Sequence, residues 1–462
     1  MKKKYWLLLI FAAFYALPFL LDDHFWWLIF IFPVPLLYLT RTQNLSFKDG
    51  YLWGCAVFAL HLSGGIYLVA SMADQSWPVG LMLGIAMVLY QALIPAFLFW
   101  CTTQVITFFS ITSPIIRLFL WTAVLWFFII WVDWYSLSIF GVQEGYPLMH
   151  PLIVLAQKPE LLCLLPIIGK QLFTALFLLV PVSCVLLLWY RNWYAFLFMC
   201  AIALSINFFL IWGPRIGASA KSGVKARKSE DWKANINTLP CMVCSTAQDP
   251  TVVIKIIGNQ LKKIVTQHPE TEIIIMPESA CNVSNFESLP ELLQLWNKDN
   301  VGKAVHIIFG ASRWHNGQYY NSLHWVYDGK LQCCYDKKHA MLLSERLSTW
   351  MNNDFFKHIY FNERQPIATS SCERIQFVVS DDISFVPYIC SELFFAEFPD
   401  DTYEHVPILA VINDLLFATY IQKLLLLLAR FKAVQWQRTI IYVSYTQSVV
   451  IDDCGRCTQV NE

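Results

Sequence analysis

The chain has 462 residues, of which 57% are hydrophobic and 16% aromatic, too apolar a composition for one water-soluble globule of that length. Its 33 basic and 33 acidic residues cancel, so there is no electrostatic footprint for a nucleic acid, and no nucleic-acid partner is expected. The length is enough for two domains.

The apolar residues concentrate before about residue 213. There, runs close to the length of a bilayer crossing follow one another at roughly 5–22, 25–40, 51–71, 79–100, 115–133, 170–189 and 194–212, which makes about seven spans. Met1-Lys-Lys-Lys4 ahead of the first run resembles the start of a secretory signal, but no clear small-residue cleavage site follows, so an uncleaved first span is expected. Lys2 to Lys4, Arg41 with Lys48, Arg117 and Arg191 fall on one side of the membrane if the N-terminus is cytoplasmic. An odd number of spans then places everything after residue 213 outside the cytoplasm. The basic stretch Arg215 to Lys233 runs against that orientation, but long translocated domains largely escape the charge rule. His61, Asp74, Asp133 and Glu144 lie in or beside spans. All but His61 are near predicted span ends, where solvation explains them, and His61 reads as a packed or hydrogen-bonded side chain.

Residues 214–233 turn to Gly, Ser, Ala and Lys and read as a linker, followed by an α/β domain over 234–462. Within it, Thr251 to Gln267 has helical periodicity. Glu272 to Met276, Ala304 to Phe309, Tyr319 to Val326, Leu331 to Tyr335, Ile375 to Val379, Ile408 to Ile412 and Thr439 to Ser444 read as strands. Asp328-Gly329 marks a hairpin turn. Charges at Lys423, Arg430, Lys432 and Arg438 make the leucine-rich stretch after Ile421 a packed helix followed by a strand, not a span.

Of fourteen cysteines, Cys55, Cys101, Cys163, Cys184 and Cys200 lie in or beside apolar runs, where a thiol is usually a small packing residue. Adjacent Cys333 and Cys334 are expected on opposite faces of their strand. Cys241/Cys244 and Cys454/Cys457 are Cys-x-x-Cys pairs, open to a shared four-thiolate zinc site, to redox pairs or to a local disulfide. A separation of more than two hundred residues weighs against the shared metal, and Asp453-Cys-Gly-Arg-Cys457 fits a hairpin turn. No metal site is therefore expected.

Glu278, Lys337 and Cys390 each stand where a strand of the α/β domain ends, the place where open α/β folds put their sites. Singly, each has a bland explanation as a solvated carboxylate, a surface lysine and a core thiol. Together they suffice for acyl chemistry. Carboxylate and ammonium would hold the thiol near its ionised form, the thiolate would attack a carbonyl, and the ammonium would face the developing oxyanion. The carboxylate would then move the protons.

Ile273-Ile-Ile-Met-Pro-Glu-Ser-Ala280, Tyr319-Tyr-Asn-Ser322 with Asp328-Gly-Lys330, Tyr335-Asp-Lys-Lys-His339 with Glu345, and Tyr388-Ile-Cys-Ser-Glu392 resemble the carbon–nitrogen hydrolase (nitrilase) superfamily, as does the order Glu, Lys, Cys. That resemblance implies a four-layer α-β-β-α sandwich. It makes Glu278 the general base and acid, Lys337 the oxyanion stabiliser and Cys390 the nucleophile, with Glu345 and Glu392 as supporting carboxylates. The multi-span first half, together with Gly145-Tyr-Pro-Leu148, Ala156-Gln-Lys-Pro-Glu-Leu161 and Leu165-Pro-Ile-Ile-Gly169, resembles the apolipoprotein N-acyltransferase family. The implied reaction moves an acyl chain from a phospholipid to the cysteine thiol and on to the N-terminal amine of a diacylglyceryl-cysteine lipoprotein. No cofactor is implied. The implied partners are the phospholipid donor, the lipoprotein acceptor and membrane lipids, and the implied place is the bacterial inner membrane with the second half facing the periplasm.

The sequence departs from that family at several points. Met276 stands for a usual Trp, Ala340-Met-Leu-Leu-Ser-Glu345 for a Val-Pro-Phe-Gly-Glu run, and Ser391 for a usual Tyr. Asn413-Asp414 and Phe417 keep part of an Asn-Asp-Ala-Trp-Phe-Gly stretch that Leu415, Leu416 and Ala418 break. No apolar run after Val450 is long enough to span, where the family usually returns to the membrane. Two further readings therefore stay beside acyl transfer: a non-enzymatic membrane scaffold or lipid-binding homologue, and a membrane-tethered amidase.

Overall fold

A computed structural model describes residues 2–21, 24–42, 44–61, 77–135, 147–190, 236–238, 250–281, 293–341, 345–347, 352–360, 367–370, 374–380, 383–395, 403, 406–415 and 417–460. The chain divides into two compact units, Met1–Ser219 with Ala418–Phe431 and Ala220–Phe417 with Lys432–Glu462. The division falls inside the helix Thr419–Trp436, so the leucine-rich stretch is a helix, and the strand Ile440–Val443 follows it.

The first unit is helical. Among the described residues, four helical stretches are long and apolar enough to cross a membrane: Lys3–Leu20, Pro78–Phe108, Pro114–Asp133 and Leu165–Leu186. Trp6, Met82, Phe97, Trp100, Phe119 and Phe127 are exposed on them, an outward greasiness that water would penalise and lipid would not. Two expected spans take a different form. The run at 25–40 breaks into a 3₁₀ turn, Trp26–Phe30, and a helix, Val34–Thr42, because Pro33 and Pro35 cannot continue a helix begun before them. The run at 79–100 belongs to two helices, Trp77–Gln91 and Leu93–Phe108, meeting at Ala92 just before Pro95, which has no N–H for the carbonyl of Gln91. Of the run at 51–71, the helix Phe47–His61 is seen. The rest of it, the run at 194–212, the 214–233 linker, Asp74 and Glu144 lie outside the described residues.

An aromatic core holds these helices together. Phe11 stacks on Trp53 at 4.4 Å, and Tyr15, Phe32, Phe99 and Phe128 surround them. Helix Phe47–His61 approaches the Ala92–Ala96 turn so closely that a Cβ on Gly50 would stand 2.5 Å from the Pro95 oxygen. On Gly54 it would stand 2.8 Å from the Ala92 Cα. Small residues spaced four apart on both sides are what let apolar helices make such contact. Asp133 is paired with Lys170 at 2.5 Å, joining two candidate spans, and Asp49 with Lys4 at 2.5 Å. His61 is buried with its ring edge-on to Phe19, a packed residue as its sequence context suggested.

The second unit contains two mixed sheets. The first has the order β1 (Ile236–Thr238), β2 (Ile273–Ile275), β3 (His306–His315), β4 (Gln318–Tyr327), β5 (Lys330–Asp336). β1 to β3 are parallel, and β3 to β5 form an antiparallel meander. The second runs β11 (Cys457–Gln459), β10 (Ser448–Ile451), β9 (Ile440–Val443), β8 (Ile408–Val411), β7 (Ser384–Ile389), β6 (Phe377–Val378). Its central trio β7, β8 and β9 is parallel.

β2, β8 and β9 are buried along their whole length, which is why they read as continuous apolar runs, Ile-Ile-Ile, Ile-Leu-Ala-Val and Ile-Ile-Tyr-Val, and not as alternation. The helix Pro250–Gln267 covers the first sheet with Ile254, Ile257 and Leu261, one face at helical spacing against Ile274, Ile307 and Phe309. Trp325 of β4 meets Phe377 of β6 at 5.9 Å, an aromatic contact from one sheet to the other. β3 runs six residues beyond the expected strand because Asn316 and Gly317, both at positive φ, make a tight turn into β4. Asp328 and Gly329 do the same between β4 and β5.

Candidate active site

Glu278 sits three residues past β2, on a segment that crosses β3 at Gly310. A Cβ there would lie 2.5 Å from the Ser279 nitrogen and 2.7 Å from the Glu278 Cα, so only glycine lets the crossing happen. The crossing is fixed by the Gly310 N–H donating to the Pro277 carbonyl at 3.3 Å and by the Cys281 N–H donating to the Gly310 carbonyl at 3.1 Å. The Glu278 carbonyl accepts from the Tyr445 hydroxyl at 3.1 Å, and its Oε2 accepts from the Asn413 N–H at 2.9 Å. Asn413 follows β8 and Tyr445 follows β9, so the second sheet holds a carboxylate carried by the first. Asp414, fully buried, stabilises that support by accepting from the Tyr445 N–H and the Thr446 hydroxyl.

Lys337 follows β5 and is 1% exposed. Its Nζ donates to Glu278 Oε1 at 3.2 Å and to the Glu345 carboxylate at 2.9 Å. The Asn321 amide on β4 donates to Oε1 of both carboxylates, at 2.7 Å each. The Asn321 carbonyl also accepts from the Lys337 N–H at 2.8 Å. Glu345 is tied back by the Met341 N–H at 2.5 Å. Burial would draw the Lys337 ammonium down, but Glu278 and then Glu345 outweigh it and raise its pKa, so the amine stays charged.

Cys390 ends β7 and is 4% exposed, as is Glu278. Its φ of 45° is unusual for a residue with a side chain, and it makes the sharp turn into the short helix Glu392–Phe395. Its N–H donates to the Val411 carbonyl at 2.8 Å, which pins the turn to β8. The thiol is pushed well above its ordinary range, first by burial and then by Glu278; Lys337 draws it down, but not enough. This corrects the expectation of a thiol held near ionisation. The resting thiol is neutral, because low solvation and two carboxylates outweigh a single ammonium.

Glu278, Lys337, Glu345 and Cys390 therefore form one cluster. Glu392 lies behind it, fully buried, accepting from the Tyr335 hydroxyl at 2.7 Å, the Lys338 N–H at 2.8 Å and the Ile389 N–H at 2.8 Å. Its contacts are with the frame of the site. Asn321, Asn413, Tyr445 and Gly310 contact or position this cluster and were not singled out one by one in the sequence, although Asn321 stands inside the Tyr319-Tyr-Asn-Ser322 segment and Asn413 inside the Asn413-Asp414 pair. Cys454 and Cys457 are exposed in the β10–β11 hairpin, while Cys241 and Cys244 lie outside the described residues.

No family model matches the chain, and no curated protein matches it. It is similar to several solved structures. One is a CN-hydrolase superfamily protein of Xanthomonas campestris, at 18% identity over 46% of this chain and 82% of that one, with a TM-score of 0.32. Another is Nit3 of Saccharomyces cerevisiae, a nitrilase superfamily member, at 15% identity over 47% and 83%, with a TM-score of 0.34. A third is a carbon-nitrogen hydrolase of Helicobacter pylori G27, at 11% identity over 49% and 85%, with a TM-score of 0.33. Likenesses this distant leave the functional reading to rest on the residues of the chain itself.

Proposed function

We propose that this chain is a membrane-bound acyltransferase of the carbon–nitrogen hydrolase type, with its second unit built as a four-layer sandwich. It would move an acyl chain from a phospholipid through a thioester on Cys390 to the N-terminal amine of a diacylglyceryl-cysteine lipoprotein. The observation that carries this reading is the burial of Cys390, Glu278 and Lys337 at strand ends of one unit, with the Lys337 ammonium 3.2 Å from the Glu278 carboxylate. The apolar helices support a lipid substrate, since a phospholipid donor and a lipidated acceptor would both be costly to bring into water.

In the first half-reaction Glu278 takes the thiol proton as sulfur attacks the ester carbonyl. The carbonyl oxygen becomes an oxyanion facing Lys337. Collapse breaks the ester C–O bond, and Glu278 returns the proton to the leaving alkoxide, giving a lysophospholipid and the Cys390 thioester. In the second, the acceptor amine attacks the thioester, Glu278 takes the amine proton, and collapse expels sulfur, which recovers that proton. The location is a bacterial inner membrane, with this unit on the periplasmic side.

The test is an acceptor assay with labelled phospholipid and a synthetic diacylglyceryl-cysteine peptide. Label in an amide on the peptide supports the proposal. Label released only as free fatty acid replaces transfer with hydrolysis, and label left in the phospholipid favours a non-enzymatic role.

A further inference from the structure

We propose that Arg374 is a positioning residue: it completes the open edge of the strand that carries Cys390 and, through Glu392, ties the nucleophile turn to the loop that carries Lys337. The proposal rests on reading Cys390 as the nucleophile.

Successive peptides of a strand point to alternate sides. In β7, Val386 and Cys390 donate toward β8, to the carbonyls of Pro407 and Val411. The peptides of Phe385, Pro387 and Ile389 face the other way. β6 meets only the first of these, because its paired residues are Phe377 and Val378 opposite Phe385 and Ser384. Beyond Phe385 no strand among the described residues pairs with that edge. Pro387 needs no partner for an N–H it lacks, which explains a proline inside a strand of the sheet. Its carbonyl still needs a donor and the Ile389 N–H still needs an acceptor.

Two side chains supply them. Arg374 Nη1 donates to the Pro387 carbonyl at 2.6 Å, and Glu392 Oε2 accepts from the Ile389 N–H at 2.8 Å. Extending the Phe377–Phe385 register upstream sets Arg374 opposite Tyr388, and its guanidinium lies 3.6 Å from the centroid of the Tyr388 ring. Arg374 Nη2 stands 3.8 Å from Glu392 Oε1, the oxygen that also receives the Tyr335 hydroxyl and the Lys338 N–H. One charged pair, 8% and 0% exposed by side chain, thus replaces the missing strand and reaches the neighbours of Lys337 on both sides. A fully buried carboxylate needs such a counter-charge. Without Arg374 the Glu392 charge is less compensated, the Pro387 carbonyl loses its donor, and the separation of thiol and ammonium is no longer fixed.

The experiment compares Arg374→Gln, Arg374→Lys and Tyr335→Phe in the full-length protein. It measures melting temperature, the kcat and KM of thioester formation, and the pH profile of Cys390 alkylation read by mass spectrometry of its peptide. Arg374→Gln is expected to lower kcat at least tenfold with KM within twofold of wild type, and to move the alkylation profile to higher pH. Arg374→Lys, which keeps the charge but not the fork, returns the profile most of the way. Tyr335→Phe, which cuts one link and keeps the ring, lowers kcat about threefold. A folded Arg374→Gln with a lower melting temperature but wild-type kcat and profile overturns the proposal. If Arg374→Gln does not fold, a Tyr335→Phe protein indistinguishable from wild type overturns it instead. The alkylation profile needs no substrate, so a wild-type protein that forms no acyl adduct counts against the acyl-transfer reading and leaves Arg374 to be decided by alkylation.

Discussion

The amide nitrogen of Asn321 lies 2.7 Å from Oε1 of Glu278 and donates its other hydrogen to Glu345 at the same distance. Two buried carboxylates are thus held around Lys337 by one side chain that bears no charge. Asn321→Ala leaves both carboxylates short of a donor, at a cost of about 1–3 kcal/mol. Turnover is expected to fall roughly ten- to a hundredfold, with Asn321→Asp worse than Ala because it adds a third acceptor. Steady-state kinetics on folded variants check both the size and the order.

The neutral thiol of Cys390 leads to an inverted result for its base. A thiol held above its ordinary range is protonated at pH 7 and gains thiolate only as pH rises, so wild-type alkylation should climb through pH 9 without a plateau. Glu278→Gln removes the charge that, after burial, raises it most. Alkylation at pH 7 should therefore speed up while turnover falls by about 10²–10⁴-fold, the usual weight of a general base. Lys337→Met should slow alkylation. Slower alkylation in Glu278→Gln would mean that the carboxylate activates the resting thiol and does not suppress it.

Gly310 is a position where one methyl should abolish the site without touching it. Its added Cβ meets backbone atoms of Glu278 and Ser279, which cannot swing aside as a side chain tip can. Gly310→Ala is expected to cost about 1–3 kcal/mol of stability and to lose nearly all activity, because Glu278 must move. Wild-type turnover in that variant would show that the crossing of Glu278 over β3 is not as close as described.

In the helical unit, Gly50→Val is expected to destabilise the bundle by about 1–3 kcal/mol, since its Cβ would stand 2.5 Å from the Pro95 oxygen. Thermal aggregation in detergent measures this, with Leu52→Val, exposed on the same helix, as the control.

Much of the second unit was legible from pattern. Fully buried strands show as aliphatic runs, Asp328-Gly329 announces its turn, and the charges between Lys423 and Arg438 separate a packed helix from a span. The ends of elements were less legible. β3 overran its expected end because the Asn316-Gly317 turn lies beyond its aliphatic stretch, and Pro33 and Pro35 broke a run that hydropathy alone joins. In the site, Glu278, Lys337 and Cys390 could be named because their chemistry is in their side chains. Asn321, Arg374 and Gly310 act through what they touch across strands far apart in sequence, and spacing carries no trace of that. The protonation of Cys390 was misjudged because burial, the largest cause of its shift, is a product of folding that the strand-end position of the residue does not show.

The central claim is that Cys390 carries the acyl chain. Purified protein in detergent, incubated with labelled phosphatidylethanolamine and analysed by mass spectrometry of the Cys390 peptide, tests it most directly. The account predicts a hydroxylamine-sensitive acyl adduct on Cys390 that is absent from Cys390→Ala; a folded wild-type protein without that adduct, or with the same label retained in Cys390→Ala, would contradict it.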